Sequence, residues 1–393
     1  MVFKNSSKKI FIGSDYAIER LSDENRFLFD DIYSVSRNFH QISFDEVEFI
    51  LKKYLKTYKP TDICLLSNED STQLVCGRLR EKYSIPGYTA NQLIAYVSKD
   101  VSKDKLAGTV RIPKFVLFDR KQYLVDPQKY TQIVMEQVGL PIFIKPTDLV
   151  SSMGTYYIEN KITLEKVLNE ISLQPWQFEI DEFIDGDLYH CDLIVHDKKI
   201  CFFSVGHYAN PLAQFSKGFP MGSIPILDEN LNAQLLKFCE DVIFCLGAMS
   251  SAFHVEVFKN KVSGELTFLE AAARTPGALV PEMYEIIYDA NLEQMHYQTQ
   301  LEKGFNFVER EDNIFAGWIT YPKVYGEVVD ISCPKINIQH QFMALVHVGE
   351  HLNQAETLLD SACSVVFWGN KYEEIISTFN KLKKFRPLIT KSG

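Results

Sequence analysis

Several absences bound this chain before any motif does. Its eight cysteines are scattered through 393 residues with no CxxC pair. That speaks against a zinc ribbon or a disulfide framework, and thiols inside apolar runs suit a reducing compartment. No GxxxxGK[ST] run occurs, so a Walker-type phosphate loop is excluded. No uninterrupted apolar stretch reaches the ~18 residues of a membrane helix, and the opening MVFKNSSKKIFIGSD has no long apolar segment of the signal-peptide kind. Basic charge is scarce: 41 Lys and Arg stand against 51 Asp and Glu, for a formal charge of −10 and a pI near 5.5. A general nucleic-acid binder needs clustered cations to neutralise phosphates and is excluded on that ground. The expectation is a cytoplasmic protein that engages neither nucleic acid nor membrane. Repeats, low-complexity tracts and long linkers are also missing.

What is present is ordinary globular composition, 46% hydrophobic and 23% charged, in a chain long enough for two or three packed subdomains. KKIFIGSD reads as a buried strand running into a Gly13 turn, FDEVEFILKKYLKTY as a helix and DICLLS as a second strand. This β-α-β rhythm predicts a parallel sheet near the N-terminus. From residue 111 the strands RIPKFVLF and LPIFIKP are short and bounded by proline, and Leu164, Val167, Leu168 and Ile171 recur at helical spacing. YHCDLIV and KICFFSVG form a hairpin about HDKK. NLNAQLLKFCEDVIFCLG is an amphipathic helix closed by Gly247, and KYEEIISTFNKLKKF is a final one.

Three stretches carry charges that need an explanation. In AFHVEVF-KNKVSG-ELTFLEA, a turn centred near Ser263 sets Glu256 opposite Glu270 and Phe258 opposite Phe268. Facing carboxylates destabilise a sheet unless a cation lies between them, and oxygen-only ligands suit Mg²⁺. A register one residue off would instead send both acids to solvent. GLPIFIKPTDLVSSMGTYYI, residues 139–158, ends an apolar strand with Lys145 and continues into a small polar loop holding Ser151, Ser152, Met153 and Gly154. That loop offers backbone amides to an anion; a lysine snorkelling from a strand end is the alternative. FEIDEFIDGDLYHCDLIV places Glu182, Phe183 and Ile184 where backbone groups could read an adenine edge, or else forms a solvated acidic hairpin.

In this order and spacing the three stretches resemble the ATP-grasp superfamily, over residues 85–320. FHVE followed by LEAAARTPG resembles more closely the bacterial L-amino acid ligases, the bacilysin-type dipeptide synthetases. The resemblance implies an α/β fold, α+β in parts: an N-terminal Rossmann-like α/β domain over 1–110, a small central lid over 111–182, and a larger C-terminal domain with an antiparallel sheet over 183–393. It implies that Lys105, in SKDKLAGT, and Lys145 contact ATP phosphates. The loop through Ser151, Ser152, Met153 and Gly154 covers them, Glu182–Phe183–Ile184 binds adenine and Asp187 takes the ribose. Glu256 and Glu270 hold Mg²⁺, or Mn²⁺, while Ala272 stands where many relatives carry a metal-binding asparagine.

The implied reaction joins two unprotected L-amino acids through an acyl phosphate, releasing ADP and phosphate. Arg274 would stabilise the acyl phosphate or its adduct. His254 would touch substrate or deprotonate the amine, or be structural. Glu179, Asp181, Asp185 and Asp187 would suit a basic donor such as arginine, Lys217 a substrate carboxylate, and the small Ala278 a roomy acceptor pocket. The expected partners are ATP, two amino acids and a second copy in a homodimer. A different carboxylate substrate, or a nucleotide-binding relative without chemistry, shares the same pattern.

Overall fold

The computed structural model describes residues 7–38, 41–149, 153–301, 307 and 313–391. Near the N-terminus, the strands Asp31–Ser34, Lys8–Gly13 and Ile63–Leu66 form a parallel sheet with Lys8–Gly13 in the middle. Ile10, Phe11, Ile12 and Ile63 through Leu66 are all buried, as expected of parallel strands covered on both faces. The helices Phe44–Tyr54 and Asp70–Tyr83 supply Val47, Leu51, Val75 and Leu79 to that core.

This first unit ends earlier than residue 110. Thr89 opens a new helix through a capping box with Gln92, and Leu93, Ala95, Tyr96 and Leu106 pack with Leu235, Val242 and Phe253 of the C-terminal part. Tyr96 donates its hydroxyl to the Ile243 carbonyl at 3.1 Å. Leu93, Ala95, Tyr96 and Leu106 meet the apolar stripe of the helix Glu229–Leu246, and burial of apolar surface draws them there.

The central unit is an antiparallel sheet in the order Phe115–Leu117, Phe178–Glu182, Ile142–Pro146, Tyr156–Ile158. The helices Pro127–Gln137 and Lys161–Ser172 cover it, and Leu164, Val167, Leu168 and Ile171 are buried as their spacing predicts.

The largest sheet has eight strands. Its order is Leu266–Ala272, Ser251–Asn260, Gly186–His196, Lys199–Tyr208, Met221–Pro225, Phe315–Pro322, Ser361–Gly369, Gln339–Ala344, and every neighbouring pair is antiparallel. The helix Glu229–Leu246, closed by Gly247 at φ 101°, packs on one face with Tyr189, Cys191, Leu193 and Val195. Helices Val280–Tyr288 and Leu292–Leu301 pack on the other with Leu188 and Ile194. Alternation along Gly186–His196 therefore places His190 and Asp192 on this second, otherwise apolar face. Among the described residues no helix is long and apolar enough to cross a membrane.

Candidate functional site

The hairpin register sets Glu256 opposite Glu270. Directly after the pair the register slips, so Val257 faces Phe268 and Phe258 faces Thr267; the expected Phe258–Phe268 pair does not form. A bulge adds a residue and re-aims side chains, and here Leu269 and Glu270, consecutive in sequence, both line one cavity together with Glu256 and Phe258. The nearest cations stand off: Lys99 Nζ is 3.7 Å from Glu270 Oε2 and His254 Nε2 is 3.6 Å from Glu256 Oε1. Burial opposes ionisation of Glu270, but Lys99 and Lys145 outweigh it and hold its carboxyl below the ordinary range.

His254 is buried behind Glu256. Its Nδ1 lies 2.7 Å from Asp192 Oδ1. The other Asp192 oxygen accepts from Tyr284 Oη at 2.7 Å and lies 2.6 Å from His190 Nδ1, while His190 Nε2 is 2.9 Å from Ser223 Oγ. Burial disfavours the imidazolium, yet Asp192 and Glu256 raise the His254 pKa to about 10. His254 is not among the cavity-lining residues, and its two ring nitrogens face the Asp192 and Glu256 carboxylates. His190, Asp192 and His254 bring their ligand atoms within 4.8 Å of one another, and the hydrogen bonds among them account for that closeness.

The cavity lies between the four-stranded and eight-stranded sheets, with a volume of about 580 Å³, within the usual size of small-molecule sites. Lys145 lines it from the end of Ile142–Pro146. Lys105 does not: it is exposed, and its carbonyl accepts from Cys245 Sγ at 3.2 Å. It shares the helix Lys99–Leu106 with Lys99, which lines the cavity and donates to the Leu149 carbonyl at 2.8 Å. Lys103, one turn on from Lys99, is fully buried on the same side. Two further residues turn a helix by about 200°, which carries Lys105 to the outer face.

Met153 and Thr155 line the cavity, and Gly154 takes φ 65° beside the Pro146 ring. Ser151 and Ser152 lie outside the described residues. Glu182, Phe183 and Ile184 form the opposite lip. The Glu182 carboxylate accepts from the Lys114 backbone N–H at 2.9 Å and pairs with Arg111. The Phe183 N–H donates to the Pro141 carbonyl at 3.0 Å, and its ring meets Tyr157 edge-on at 4.8 Å. Asp187 is at the rim, 4.0 Å from His207 Nε2, and Lys217 reaches in over the Tyr157 ring.

Arg274 is not among the cavity-lining residues. Its Nε donates to Asp70 Oδ2 at 3.0 Å and its Nη1 to the Thr275 carbonyl at 2.9 Å. Asn68 Nδ2 donates to Thr275 Oγ1 at 2.8 Å and Gln73 Nε2 to the Ala273 carbonyl at 3.0 Å. The arginine thus stands where the C-terminal sheet meets the carboxyl end of the parallel strands, the end at which α/β sheets bind ligands. Three of the four acids expected to favour a basic substrate are paired with lysines. Glu179 and Asp181 are buried against Lys103 and Lys145, and Asp185 pairs with Lys261 at 3.0 Å. Reading the sequence missed Lys99, Lys103, Asp70 and the role of Asp192; the i,i+4 spacing of Lys99 and Lys103 was the available signal.

Residues 106–209 match the family described as D-ala D-ala ligase C-terminus. An L-arginine-specific L-amino acid ligase of Bacillus subtilis is 21% identical over 275 residues, covering 68% of this chain and 65% of that relative's length. The structure of an L-amino acid ligase from Bacillus licheniformis superposes with a TM-score of 0.73 at 14% identity, covering 99% of this chain and 100% of that one. The biotin carboxylase domain of 2-oxoglutarate carboxylase from Hydrogenobacter thermophilus, in complex with MgADP, ADP and bicarbonate, superposes with a TM-score of 0.62 at 12% identity, covering 97% and 85%.

Proposed function

We propose, from the ATP-grasp fold that this chain shares with carboxylate–amine ligases, that it joins two L-amino acids into a dipeptide at the expense of ATP. One observation carries the reading: two lysines and two facing carboxylates converge on a single cavity whose opposite lip is Glu182–Phe183–Ile184. Nucleotide would lie in this cavity with adenine against that lip, Asp187 beside the ribose, and Lys99 and Lys145 at the phosphates. Lys99 takes the part that Lys105 was expected to play. Met153 and Thr155, which line the cavity, and Gly154 between them would cover the phosphates.

The carboxylates fit Mg²⁺ or Mn²⁺. They offer only oxygen, they face each other across a bulge, and their nearest cations remain more than 3.5 Å away. Such an ion would supply positive charge that neutralises the charge developing on the phosphate oxygens. Glu256 and Glu270 would hold the ion, and His254, which Asp192 orients, stands behind Glu256.

The chain's own residues then serve a two-step transfer. A substrate carboxylate oxygen bonds to the γ-phosphorus as the bond to ADP breaks. The amine nitrogen next bonds to the acyl carbon, inorganic phosphate leaves and the ammonium proton passes to solvent. Phosphoryl transfer of this kind needs positioning and charge neutralisation rather than a protein nucleophile. Arg274, aimed by Asp70, would stabilise the oxyanion of the adduct with its remaining N–H groups. An arginine-like donor is supported by the Bacillus subtilis relative, while three of the four acids nearby are paired with lysines.

The test is phosphate release from MgATP across a matrix of L-amino acid pairs, with mass spectrometry of the products. Phosphate together with a dipeptide mass is expected. Phosphate release that depends on bicarbonate or another carboxylate, with no dipeptide from any pair, would overturn the amino acid reading; the likeness to the bicarbonate-bound carboxylase domain motivates that second arm.

A further inference from the structure

Beside Lys145 lies a buried group of charges, of which Asp181 also reaches the cavity lining. Glu179 and Asp181 are alternate residues of the strand Phe178–Glu182 and share one face, and the register sets Lys145 directly opposite Glu179. Lys103 enters from a different body, on the helix that packs beneath the eight-stranded sheet. Lys103 and Glu179 are both 0% exposed and Asp181 is 2% exposed. Lys103 Nζ donates to Asp181 Oδ1 at 2.6 Å and Oδ2 at 2.7 Å, and lies 3.1 Å from Glu179 Oε2. Lys145 Nζ is farther from the same acids, 3.3 Å from Glu179 Oε1 and 3.3 Å from Asp181 Oδ2. Lys103 also sits 4.8 Å from the centre of the Phe115 ring.

We infer that Lys103 is a positioning residue for Lys145: it neutralises the two buried acids so that the Lys145 ammonium can face an anionic ligand in the cavity. This rests on the nucleotide reading above. The distances rank the partners, since Lys103 grips Asp181 with two short charge-assisted bonds and Lys145 makes none shorter than 3.3 Å. Charge count gives the reason. Two cations and two anions cancel, and a buried group that is neutral as a whole leaves the cavity's potential to Lys99 and the cavity side of Lys145. Without Lys103 two carboxylates share one ammonium, an uncompensated negative charge lies beside the phosphates, and Lys145 is drawn inward. Lys99, Lys103 and Lys145 thus divide the work: two face the cavity and one supplies the counter-charge behind them.

The inference predicts effects of opposite sign from two buried substitutions, read as MgADP affinity by isothermal titration calorimetry, with no turnover required. Lys103→Met should weaken MgADP binding by at least ~10-fold. Asp181→Asn, which removes a competitor for Lys145, should tighten it by roughly two- to fivefold. The double variant Lys103→Met/Asp181→Asn, again balanced in charge, should return to within about threefold of wild type. Thermal unfolding without nucleotide reports whether each variant is folded. If Lys103→Met does not fold, the sign for Asp181→Asn alone decides, because a merely structural cluster predicts unchanged or weaker binding there. Unchanged affinity in folded Lys103→Met, or unchanged or weakened affinity in Asp181→Asn, overturns the inference while leaving the nucleotide reading intact. Wild-type protein that binds no MgADP overturns that reading and this inference with it.

Discussion

Lys99 and Lys105 stand on one helix with opposite surroundings, and a pair of substitutions separates them. Lys99 is 3.7 Å from Glu270 and lines the cavity, whereas Lys105 faces outward. A hydrogen bond to a charged group contributes about 1.5–3 kcal/mol, roughly ten- to hundredfold in affinity. Lys99→Met should therefore weaken ADP binding by about that factor, and Lys105→Met should leave it within about twofold, measured side by side by calorimetry. A larger loss in Lys105→Met would restore the assignment read from sequence. Lys105 turns outward for a rotational reason. The helix Lys99–Leu106 carries lysines at 99, 103 and 105, and choosing among them requires the helix phase, which Leu106 and Ser102 reveal only once their burial is known. Glu256 and Glu270 were legible because a hairpin with a short turn ties register to sequence, yet the bulge that brings Leu269 and Glu270 to one cavity was not.

The helix Leu292–Leu301 carries two titrating groups that pull in opposite directions. His296 is fully buried; its Nδ1 accepts from the Ala252 N–H at 3.1 Å, and burial lowers its pKa to about 4. An unfolded histidine titrates near 6.5. Its stabilising contribution is therefore complete above pH 6.5 and is lost as pH falls toward 4, by at most about 3 kcal/mol. Glu293, one turn earlier, is raised to about 7 by burial and by Glu282, against Arg20 and Asn25. Its contribution is present below the unfolded value near 4.5 and is lost as pH rises through 7. The two oppose each other between pH 4.5 and 6.5. Urea unfolding across that window should show acidification costing more stability in Glu293→Gln than in wild type, and raising stability in His296→Gln. Parallel pH slopes for all three proteins would remove both assignments. The depth of His296 against Ser67 and Ser251 was not readable in sequence.

At the scale of the molecule, three sheets meet around the cavity and the Arg274 loop, and each supplies what the others lack. The four-stranded sheet brings Lys145 and the Glu182–Ile184 lip, the eight-stranded sheet the two carboxylates, and the parallel sheet Asp70 and Asn68 against Arg274 and Thr275. A ligand bridging two of these bodies should stabilise the whole. At 100 times its dissociation constant, MgATP should add about 2.7 kcal/mol to unfolding, seen as a rise in the thermal midpoint that largely disappears in EDTA. A rise of equal size with EDTA present would count against the metal role of Glu256 and Glu270.

The sequence by itself determined the N-terminal parallel strands, the helices Lys161–Ser172, Glu229–Leu246 and Tyr372–Leu382, the facing of Glu256 and Glu270, and the resemblance that pointed to nucleotide and ligation. These follow from period-two and period-3.6 burial and from short turns, all of which act over a few residues. Only the tertiary structure decided which lysine of the helix Lys99–Leu106 reaches the cavity, that Glu179 and Asp181 face buried lysines, that His254 lies buried between Asp192 and Glu256, and that Asp70 aims Arg274. Each of these depends on a partner tens to hundreds of residues away. Coulomb and desolvation energies are set by distance and burial, and neither can be read along the chain.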